Sequence, residues 1–518
     1  LVDSGQWVNK MSGVSRVAIA LAAIAVGAEA RPGGKGKIPI LGWNTWCTQN
    51  TCGVDWCTSS EVLSVAAEIK ANGMQALGYD HINLDDCWGE RDNATGQIMG
   101  DPVRFPEGMP AFISKLHDMG FKFGLYTDIG PHGCHHPFTG SFPVYQQDAN
   151  TFKEWGVDYV KFDGCDLPAG HTPEELTCNM SQALLNTGED IWFNFHCWHT
   201  ETCAKCGTSF RVGPDHHDNW GSTAGIIDLL QTRQDWWGPD PTYGWPDPDF
   251  IYTGGQGCNS TDPGPDHGNP GPSPPGKRCP GQTDDEYVTE YSIWALAGGE
   301  IIVSSDPRNM SDLQKKLWLN EEVIAMYQDV SGFRDVKMVG NGTFEYVTDD
   351  GCALEHALSH SECVEGKTFG CFADNQSMWT SDGCRGVFSC DRKTSVVCDV
   401  EQSKWAMCKC VPGKVPPPSP RPGSQGPQVW VRPTSDGGAA VALFNGNDLL
   451  PAKITVDFAD VTARSWTSST TLNVRDMWEK QSLGTATGSY TATVRPHFTV
   501  LLKLTTSSDG AVETQQIA

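Results

Sequence analysis

The chain reads Tyr159-Val160-Lys161-Phe162-Asp163-Gly164-Cys165, a short apolar run that ends in an aspartate. Similar β-branched or aromatic runs recur between residues 40 and 306, each followed by polar residues and then by an amphipathic helical pattern. The eight runs are Ile40–Trp46, Asp80–Asp86, Lys122–Asp128, Asp158–Gly164, Ile191–Cys197, Ser209–Asp215, Asp249–Gly254 and Glu300–Asp306. Eight strands alternating with helices predict parallel pairing, either in a closed barrel or in an open doubly wound sheet.

The ends of these runs favour the barrel. They carry polar and aromatic side chains, namely Trp46, Asp85, Asp86, Tyr126, Asp128, Lys161, Asp163, Cys197, Arg211 and Asp215. In a barrel the C-terminal ends of all strands meet at one mouth, where barrel enzymes hold their chemistry. An open sheet would spread them along an edge. We therefore predict an α/β fold whose first domain is a (β/α)8 TIM barrel over residues 31–335.

The pattern changes after residue 335. Residues 336–349 and 427–506 contain short alternating runs between turn residues, which predict an antiparallel β-sandwich. The intervening residues 350–426 combine eight cysteines with a stretch rich in Pro, Ser and Gly. They predict an insertion held by disulfides, either a glycan-binding module or a spacer, followed by an extended linker. Residues 507–518 are expected to be a polar tail.

The first 30 residues resemble a leader. Arg16 precedes the apolar run from Val17 to Ala28, and Ala28-Glu29-Ala30 offers a cleavage site. The apolar run is short for a membrane span. We expect residues 1–30 to comprise an upstream extension and a signal peptide. Twenty cysteines and six N-x-S/T sequons then indicate a disulfide-bonded glycoprotein, either secreted or delivered to an acidic vacuole or lysosome.

The charge balance restricts the partners. The chain has 37 basic and 63 acidic residues, a net charge of −26. Nucleic acids and anionic membranes attract clusters of Lys and Arg, so this excess of acid argues against both as partners. Nineteen tryptophans fit either core packing or the stacking of sugar rings on indoles.

Asp163 and Asp215 are the candidate catalytic pair. Hydrolysis of a glycosidic bond with retention uses one carboxylate as the nucleophile and a second carboxyl group as the acid/base. Lys161 alternates onto the face of Asp163 and is expected to keep it ionised. Asp215 ends the run that begins at Arg211. For each aspartate taken alone, the alternative is a helix N-cap.

A zinc site is the competing interpretation of one segment. Cys203-Ala204-Lys205-Cys206 is followed by His216-His217. In an oxidising compartment such cysteines are more often disulfide partners, and retaining hydrolysis requires no metal. We predict neither a metal nor a cofactor.

Five motifs occur together in order: Leu41-Gly42-Trp43-Asn44-Thr45-Trp46, Asn83-Leu84-Asp85-Asp86-Cys87-Trp88, Gly124-Leu125-Tyr126-Thr127-Asp128, Lys161-Phe162-Asp163-Gly164-Cys165 and Trp245-Pro246-Asp247-Pro248-Asp249. With them the chain resembles the glycoside hydrolase family of melibiases, which holds α-galactosidases and α-N-acetylgalactosaminidases. The resemblance covers residues 38–346 and 427–505.

The resemblance implies a retaining exo-α-galactosidase with Asp163 as the nucleophile and Asp215 as the acid/base. The implied substrate-binding residues are Trp46, Asp85, Asp86, Tyr126, Cys134, Lys161, Cys197, Arg211 and Asp249. Asp85 and Asp86 match the pair that binds the 4-OH and 6-OH of galactose, and adjacent carboxylates suit two hydroxyl donors. We expect the pKa of Asp215 to rise once a sugar excludes water, whereas Asp163 stays ionised.

The resemblance also implies the disulfides Cys134–Cys165 and Cys47–Cys87. Two further pairs are expected from their position along the chain: Cys52–Cys57 as a local pair, and Cys258–Cys279 closing a loop rich in Pro and Gly.

The segment Phe195-His196-Cys197-Trp198 departs from the family pattern, which has Cys-x-Trp or Cys-Glu-Trp near the C2 substituent of the sugar. Cys197 is either a pocket thiol or a disulfide partner. This departure leaves α-N-acetylgalactosaminidase and β-L-arabinopyranosidase as alternatives on the same scaffold. A catalytically inactive galactose-binding protein is the alternative of another class, and a homodimer is one option for assembly.

Overall fold

The structure is a computed structural model of the 518-residue chain. It describes residues 38–46, 57–134, 137–196, 203–233, 244–253, 282–339, 343–346, short segments between 353 and 409, 426–447 and 452–506. The expected signal peptide, Cys47, Cys52, Cys197, the Cys258–Cys279 loop and the C-terminal tail lie outside these residues.

Ten strands belong to the first part of the chain: β1 (Leu41–Asn44), β2 (Tyr79–Leu84), β3 (Gly89–Arg91), β4 (Ile98–Gly100), β5 (Lys122–Asp128), β6 (Tyr159–Asp163), β7 (Trp192–Phe195), β8 (Ser209–Arg211), β9 (Trp245–Asp247) and β10 (Ile301–Val303). β3 and β4 form a separate hairpin, and the other eight form one parallel sheet in the order β10-β1-β2-β5-β6-β7-β8-β9. Ile251, just beyond β9, pairs in parallel with Val303 of β10, which closes the sheet. The predicted (β/α)8 barrel is confirmed.

Eight helices surround and extend the barrel: α1 (Ser59–Ala71), α2 (Met109–Asp118), α3 (Tyr145–Trp155), α4 (Pro173–Asn186), α5 (Trp220–Thr232), α6 (Asp284–Ala297), α7 (Asp312–Trp318) and α8 (Glu321–Gln328). Side chains cap several of them, and Thr283 with Glu286 forms a capping box at the start of α6. α6 is buried along nearly its whole length because it also contacts the C-terminal sheet. Trp478 of that part donates from Nε1 to Ser292 Oγ of α6 at 2.8 Å.

The seventh barrel strand lies earlier than predicted. The sequence pattern indicated Asp249–Gly254, but β9 spans Trp245–Asp247 and only Ile251 of the predicted run forms a bridge. Proline normally argues against a strand because it lacks an N–H group. Here Pro246 takes part through its carbonyl, which accepts a hydrogen bond from the amide of Glu300 at 3.3 Å. The hydrogen bonds of β9 with β8 and with Glu300 therefore form a strand where the prolines in the sequence argue against one.

The disulfide pattern corrects two predictions. Cys87 is bonded to Cys57, so the pairings Cys47–Cys87 and Cys52–Cys57 are wrong. Several cysteines share the loop before α1, and spacing alone does not choose among them because the choice depends on distances in the folded chain. The bond ties the start of α1 to the end of β2.

One expected disulfide pairing is confirmed, and a further pairing was not predicted. Cys134–Cys165 is present, which is the pairing that the family resemblance implies. Cys206 is bonded to Cys178 of α4, and Cys203 is also in a disulfide. The Cys-x-x-Cys segment is therefore part of the disulfide framework rather than a thiolate ligand set.

The C-terminal part contains nine strands outside the insertion: β11 (Lys337–Met338), β12 (Thr343–Tyr346), β19 (Pro427–Pro433), β20 (Ala439–Asn445), β21 (Ala452–Asp457), β22 (Thr471–Asp476), β23 (Gln481–Thr487), β24 (Ser489–Val494) and β25 (Thr499–Thr506). They form sheets ordered β11-β19-β20-β25-β22-β23 and β12-β21-β24. Val441, Ile454 and Leu502 are among the buried residues of their shared core. The predicted β-sandwich is confirmed.

Two strands of the sandwich were not predicted from sequence, because neither β22 nor β23 falls in the alternating runs that the sequence shows. Those runs are Gln428–Val431, Ala439–Phe444, Lys453–Phe458, Tyr490–Val494 and Thr499–Leu504. β23 is exposed at nearly every position, and β22 buries only Leu472 and Val474. Because neither strand shows a long apolar alternation, the sequence carries little strand signal there.

Between residues 353 and 409 the chain adds six short strands: β13 (Ala353–Ala357), β14 (Phe369–Cys371), β15 (Ser377–Ser381), β16 (Gly386–Ser389), β17 (Ser395–Cys398) and β18 (Trp405–Lys409). They form two three-stranded sheets around a small core that includes Phe388 and Met378. Disulfides Cys363–Cys384 and Cys398–Cys408 cross-link this core.

Within the described residues, every helix is too short or too polar to cross a bilayer.

Candidate active site

Lys161 lies at the centre of the barrel mouth. Its ammonium group is 2.9 Å from Oδ2 of Asp85, an ion pair that joins β6 to the end of β2. The same nitrogen stands over three aromatic rings, 5.5 Å from the centroid of Trp46, 5.3 Å from Tyr126 and 5.0 Å from Phe250. Contacts of this kind stabilise a cation. One buried lysine thus brings together three of the predicted site residues.

Asp163 ends β6 beside this lysine and is held by two donors. Its Oδ1 accepts the amide of Gly164 at 2.9 Å and lies 3.3 Å from Nδ1 of His196. Its Oδ2 lies 3.4 Å from Sγ of Cys134. Since Cys134 is disulfide-bonded, this is a packing contact and not a hydrogen bond.

The surroundings of Asp163 favour its ionised form. Burial acts to raise its pKa, but the hydrogen bond with His196 and the cations of Lys161 and Arg211 outweigh burial. The pKa of Asp163 is therefore held well below its ordinary value. This agrees with the expectation that Asp163 stays ionised.

Arg211 links the end of β8 to two carboxylates. Its Nη2 is 3.0 Å from Oδ1 of Asp215 and 2.7 Å from Oδ2 of Asp249. The guanidinium is nearly buried, whereas the side chain of Asp215 is 64% exposed toward the open mouth. Asp215 can therefore reach a bound ligand from the solvent side, while Asp249 keeps the arginine in place.

The pKa of Asp215 lies below its ordinary value. Partial loss of water around the carboxyl at the rim of the mouth and the charge of Asp163 act to raise this pKa, but the charge of Arg211 outweighs them. The expected upward shift concerned the sugar-bound state. In the sugar-free protein the direction is the opposite, because Arg211 makes a direct ion pair that the sequence pattern did not reveal.

Asp249 is anchored in an unusual backbone conformation, with φ of 76°. Its Oδ2 also accepts the amide of His216 at 2.8 Å, and its carbonyl accepts Nε1 of Trp294 at 3.0 Å. Aspartate is one of the few residues other than glycine that tolerates this region. These bonds fix the carboxylate that orients Arg211.

The adjacent Asp85 and Asp86 differ in their partners. Asp85 is bound by Lys161, and its amide donates to Thr45 Oγ1 at 2.8 Å. Oδ1 of Asp86 accepts the hydroxyl of Thr139 at 2.5 Å. Both are almost fully buried. Buried carboxylates so held are preorganised acceptors for hydroxyl groups.

Tyr126 and Asp128 occupy the end of β5. The hydroxyl of Tyr126 accepts the amide of Cys134 at 3.2 Å and lies 3.4 Å from Oδ2 of Asp128. Asp128 accepts the amides of Gly130 at 2.8 Å and Cys165 at 2.9 Å. Burial and the charge of Asp163 nevertheless raise the pKa of Asp128 to about 6.

Asp128 and Asp163 also cluster with Cys134 and Cys165 closely enough for a shared ligand. The two sulfurs are bonded to each other and offer no thiolate. Two carboxylates remain, which is a small set for a structural ion.

His196, Phe250, Thr139 and Asp128 were not among the predicted site residues, although Asp128 was recognised as the polar end of a strand run. His196 falls in the Phe195–Trp198 segment that departs from the family pattern, so that departure was the available signal. Phe250 follows directly on a predicted site residue. Thr139 comes from a loop with no motif, and only the fold brings it to Asp86. Cys197, also predicted for this site, lies outside the described residues.

A buried polar network supports the site from inside the barrel. Asn194 of β7 donates to Oδ2 of Asp247 at 2.7 Å and to Oε2 of Glu300 at 3.3 Å. Glu300 also accepts the hydroxyl of Tyr159 at 3.2 Å and Nε1 of Trp192 at 2.8 Å. Burial and the neighbouring Asp247 raise the pKa of Glu300 to about 8.

Family models match the chain over both parts. Residues 38–263 match the model described as alpha galactosidase A, and residues 424–504 match the alpha galactosidase C-terminal beta sandwich domain. Alpha-galactosidase 2 of Arabidopsis thaliana is 33% identical over 313 residues, which cover 59% of this chain and 71% of that protein. The alpha-galactosidase of Cyamopsis tetragonoloba is 34% identical over 317 residues, covering 60% and 69%.

Solved structures agree on the fold. Alpha-galactosidase I from Mortierella vinacea superposes with a TM-score of 0.64 at 22% identity, over 91% of this chain and 97% of that one. A β-L-arabinopyranosidase from Geobacillus stearothermophilus gives a TM-score of 0.61 at 17% identity, over 92% and 98%. Together with the sequence motifs, these findings show that the chain belongs to the melibiase family of glycoside hydrolases.

Proposed function

We propose that the enzyme is a retaining exo-glycosidase that releases terminal α-linked galactose by double displacement, with Asp163 as the nucleophile and Asp215 as the acid/base. The observation that carries this proposal is the contrast between the two carboxylates at one mouth. Asp163 is enclosed by donors and cations, and its side chain is 15% exposed. Asp215 is 64% exposed. Retaining hydrolysis uses two such carboxyl groups in different roles.

In the first step Oδ2 of Asp163 attacks the anomeric carbon while protonated Asp215 donates its proton to the leaving glycosidic oxygen. The C1–O bond to the leaving group breaks and an ester between Asp163 and galactose forms. In the second step Asp215 takes a proton from water, which attacks C1 and releases Asp163 as a carboxylate. At the end of the cycle Asp163 is again a carboxylate and Asp215 is again protonated.

The electrostatics of the pair support this change of role. The negative charge of Asp163 acts to raise the pKa of Asp215. Esterification removes that charge, so the pKa of Asp215 falls and the group becomes a base when the second step needs one. Arg211 lowers the pKa of Asp215 throughout. We therefore expect kcat/KM to fall as the pH rises, with the midpoint of this fall at an acidic pH. The fall occurs because Asp215 loses the proton that it must donate.

Recognition of galactose follows from the rest of the mouth. Asp85 and Asp86 are buried acceptors for two hydroxyl groups on one face of the ring, and Trp46 offers an aromatic surface beside Lys161. Cys197 and Trp198, in the segment that the resemblance places near the C2 substituent, lie outside the described residues. A panel of nitrophenyl α-galactoside, α-N-acetylgalactosaminide and β-L-arabinopyranoside therefore decides among the substrates of this scaffold. We expect the galactoside to be preferred, and failure on all three would contradict the proposal.

The mechanism is tested by product stereochemistry. We expect the first-formed sugar from an α-galactoside, followed by proton NMR, to be the α-anomer. In Asp215→Ala, azide should accelerate turnover of a nitrophenyl α-galactoside and yield α-galactosyl azide, because azide attacks the accumulated ester. In Asp163→Ala, azide should replace the nucleophile and yield the β-azide. A β-anomer from the unmodified enzyme, or exchanged azide products, would contradict the assignment.

We further propose the boundaries 31–335 for the barrel domain, 336–349 with 427–506 for the sandwich, and 350–426 for the insertion and linker. The disulfides fit an extracellular or lysosomal enzyme. Removal of residues 1–30 and secretion are likewise proposals, which N-terminal sequencing of the secreted protein would test.

A further inference from the structure

His196 is placed beside the proposed nucleophile by strand pairing. It follows β7 directly, and its amide donates to the carbonyl of Phe162 in β6 at 2.9 Å. This bond continues the β6–β7 register by one residue and sets the imidazole next to Asp163. The side chain is nearly buried, with Nδ1 at 3.3 Å from Oδ1 of Asp163. Since an ionised carboxylate only accepts, Nδ1 is the donor.

The two oxygens of Asp163 are therefore unlike. Oδ1 receives both His196 Nδ1 and the amide of Gly164. Oδ2 faces the disulfide sulfur of Cys134, which has no hydrogen to donate. We infer that His196 is a positioning residue that fixes Oδ1 of Asp163 and leaves Oδ2 to bond to the anomeric carbon. This inference rests on the proposed function of Asp163 and concerns a residue in the segment where the chain departs from the family pattern.

The hydrogen bond has different effects on the two steps. In the sugar–enzyme ester Oδ1 is a neutral carbonyl oxygen, whereas in the transition state of ester hydrolysis the carboxylate charge returns to both oxygens. A donor at Oδ1 binds the developing charge more strongly than the ester. His196 therefore accelerates release of Asp163 from galactose. Its loss should slow the second step by about 10- to 100-fold, the size expected for one hydrogen bond to a charged group.

The pH dependence should move as well. The charged and titratable groups that act on Asp163, or on which it acts, are Lys161, Arg211, Asp128, Asp215, Tyr126 and His196. Burial opposes ionisation of Asp163, and the hydrogen bond with His196 is the foremost effect lowering its pKa. Removal of this bond should shift the acidic limb of kcat/KM toward higher pH. A residue that serves packing alone would leave that limb in place.

The test compares His196→Asn with His196→Leu, two side chains with the same branching of heavy atoms, of which only asparagine can donate from near the Nδ1 position. For His196→Leu we expect kcat on nitrophenyl α-galactoside to fall about 10- to 100-fold. KM should fall with it, because the ester accumulates, and stopped-flow traces should show a nitrophenol burst. His196→Asn should recover most of kcat and lose the burst. Thermal melts verify folding, and His196→Ala replaces the leucine variant if that variant does not fold.

Equal kinetics and equal acidic limbs in the two variants would overturn the role of His196, as would a rise in KM at unchanged kcat. Asp163→Asn, measured alongside, separates this failure from that of the proposed function. If Asp163→Asn is inactive while the His196 variants match the unmodified enzyme, only the His196 inference is refuted. If Asp163→Asn turns over normally, the nucleophile is misassigned and both proposals fall.

Discussion

Glu300 offers a quantitative prediction because its environment is defined by the barrel interior. The carboxyl group is fully enclosed and accepts bonds from Tyr159, Trp192 and Asn194, yet burial and Asp247 raise its pKa from 4.5 to about 8. Since the pKa in the folded protein exceeds that of the unfolded chain, the contribution to stability is complete below about pH 4.5 and is lost as the pH rises through 8. The contribution of Glu300 to stability should thus be larger in acid than at neutral pH.

The magnitude follows from the two pKa values. A difference of about 3.5 pKa units predicts that the free energy of unfolding falls by about 3 kcal/mol between pH 5 and pH 8 on account of this group. Glu300→Gln keeps the shape and removes the ionisation. The amide NH2 group cannot accept one of the bonds that Glu300 accepts, so the variant carries a constant loss of stability. The Tm of the variant relative to the unmodified protein should nevertheless rise by about 5 °C between pH 5 and pH 8.

The assay is a series of thermal melts from pH 4.5 to 8.5 on the unmodified protein, Glu300→Gln and a control, Glu154→Gln. Glu154 is an exposed glutamate on α3, so its variant should follow the unmodified curve. The comparison uses shifts in Tm because a protein of several domains need not unfold in one step. Parallel curves for the unmodified protein and Glu300→Gln would refute the reasoning, since they would show that Glu300 does not bind a proton on folding.

Three further predictions concern the nucleophile, the interface between the barrel and the sandwich, and the disulfides. Asp163→Asn should lower kcat on nitrophenyl α-galactoside by about three orders of magnitude or more with Tm little changed, because the amide cannot form the ester; turnover near the unmodified rate would disprove it. Arg432 is fully buried and donates to the carbonyls of Ala295 and Tyr327, so Arg432→Met should lower the Tm by about 5 °C, the shift expected for a loss of about 3 kcal/mol. Arg495 is exposed, so Arg495→Met is the control. An equal fall in Tm in both variants would contradict the role of Arg432 at the interface. Non-reducing digestion should yield a cross-linked peptide pair containing Cys57 and Cys87, and a Cys47–Cys87 pair in its place would contradict the structure.

Much of the architecture could be predicted from local patterns. The barrel strands β2, β5 and β6 coincide closely with the apolar runs, because buried parallel strands are apolar along their length and end in polar side chains at the mouth. The pattern failed at β9, where prolines hide a strand that pairs through its carbonyls. It failed again at β22 and β23, whose exposed faces carry little apolar signal.

The candidate site could be predicted where its functional residues lie close together in the sequence. Lys161 and Asp163 share a face by alternation, and Asp85 and Asp86 are neighbours at a strand end. His196 entered only as an irregularity in a motif, since its hydrogen bond to Asp163 depends on the register between β6 and β7. The low pKa of Asp215 likewise depends on its ion pair with Arg211. The two residues are close in sequence, but only the folded structure shows that their side chains meet.

The barrel, the sandwich and the residue types at the mouth could be predicted from the chain, because hydrophobic periodicity and side-chain chemistry are properties of short segments. The folded structure was needed to show which cysteine pairs with Cys87, which oxygen of Asp163 is held by donors, and why Glu300 binds a proton near neutral pH. Those outcomes depend on distances between residues far apart in the chain and on the exclusion of water around them, and both come into being only when the barrel closes.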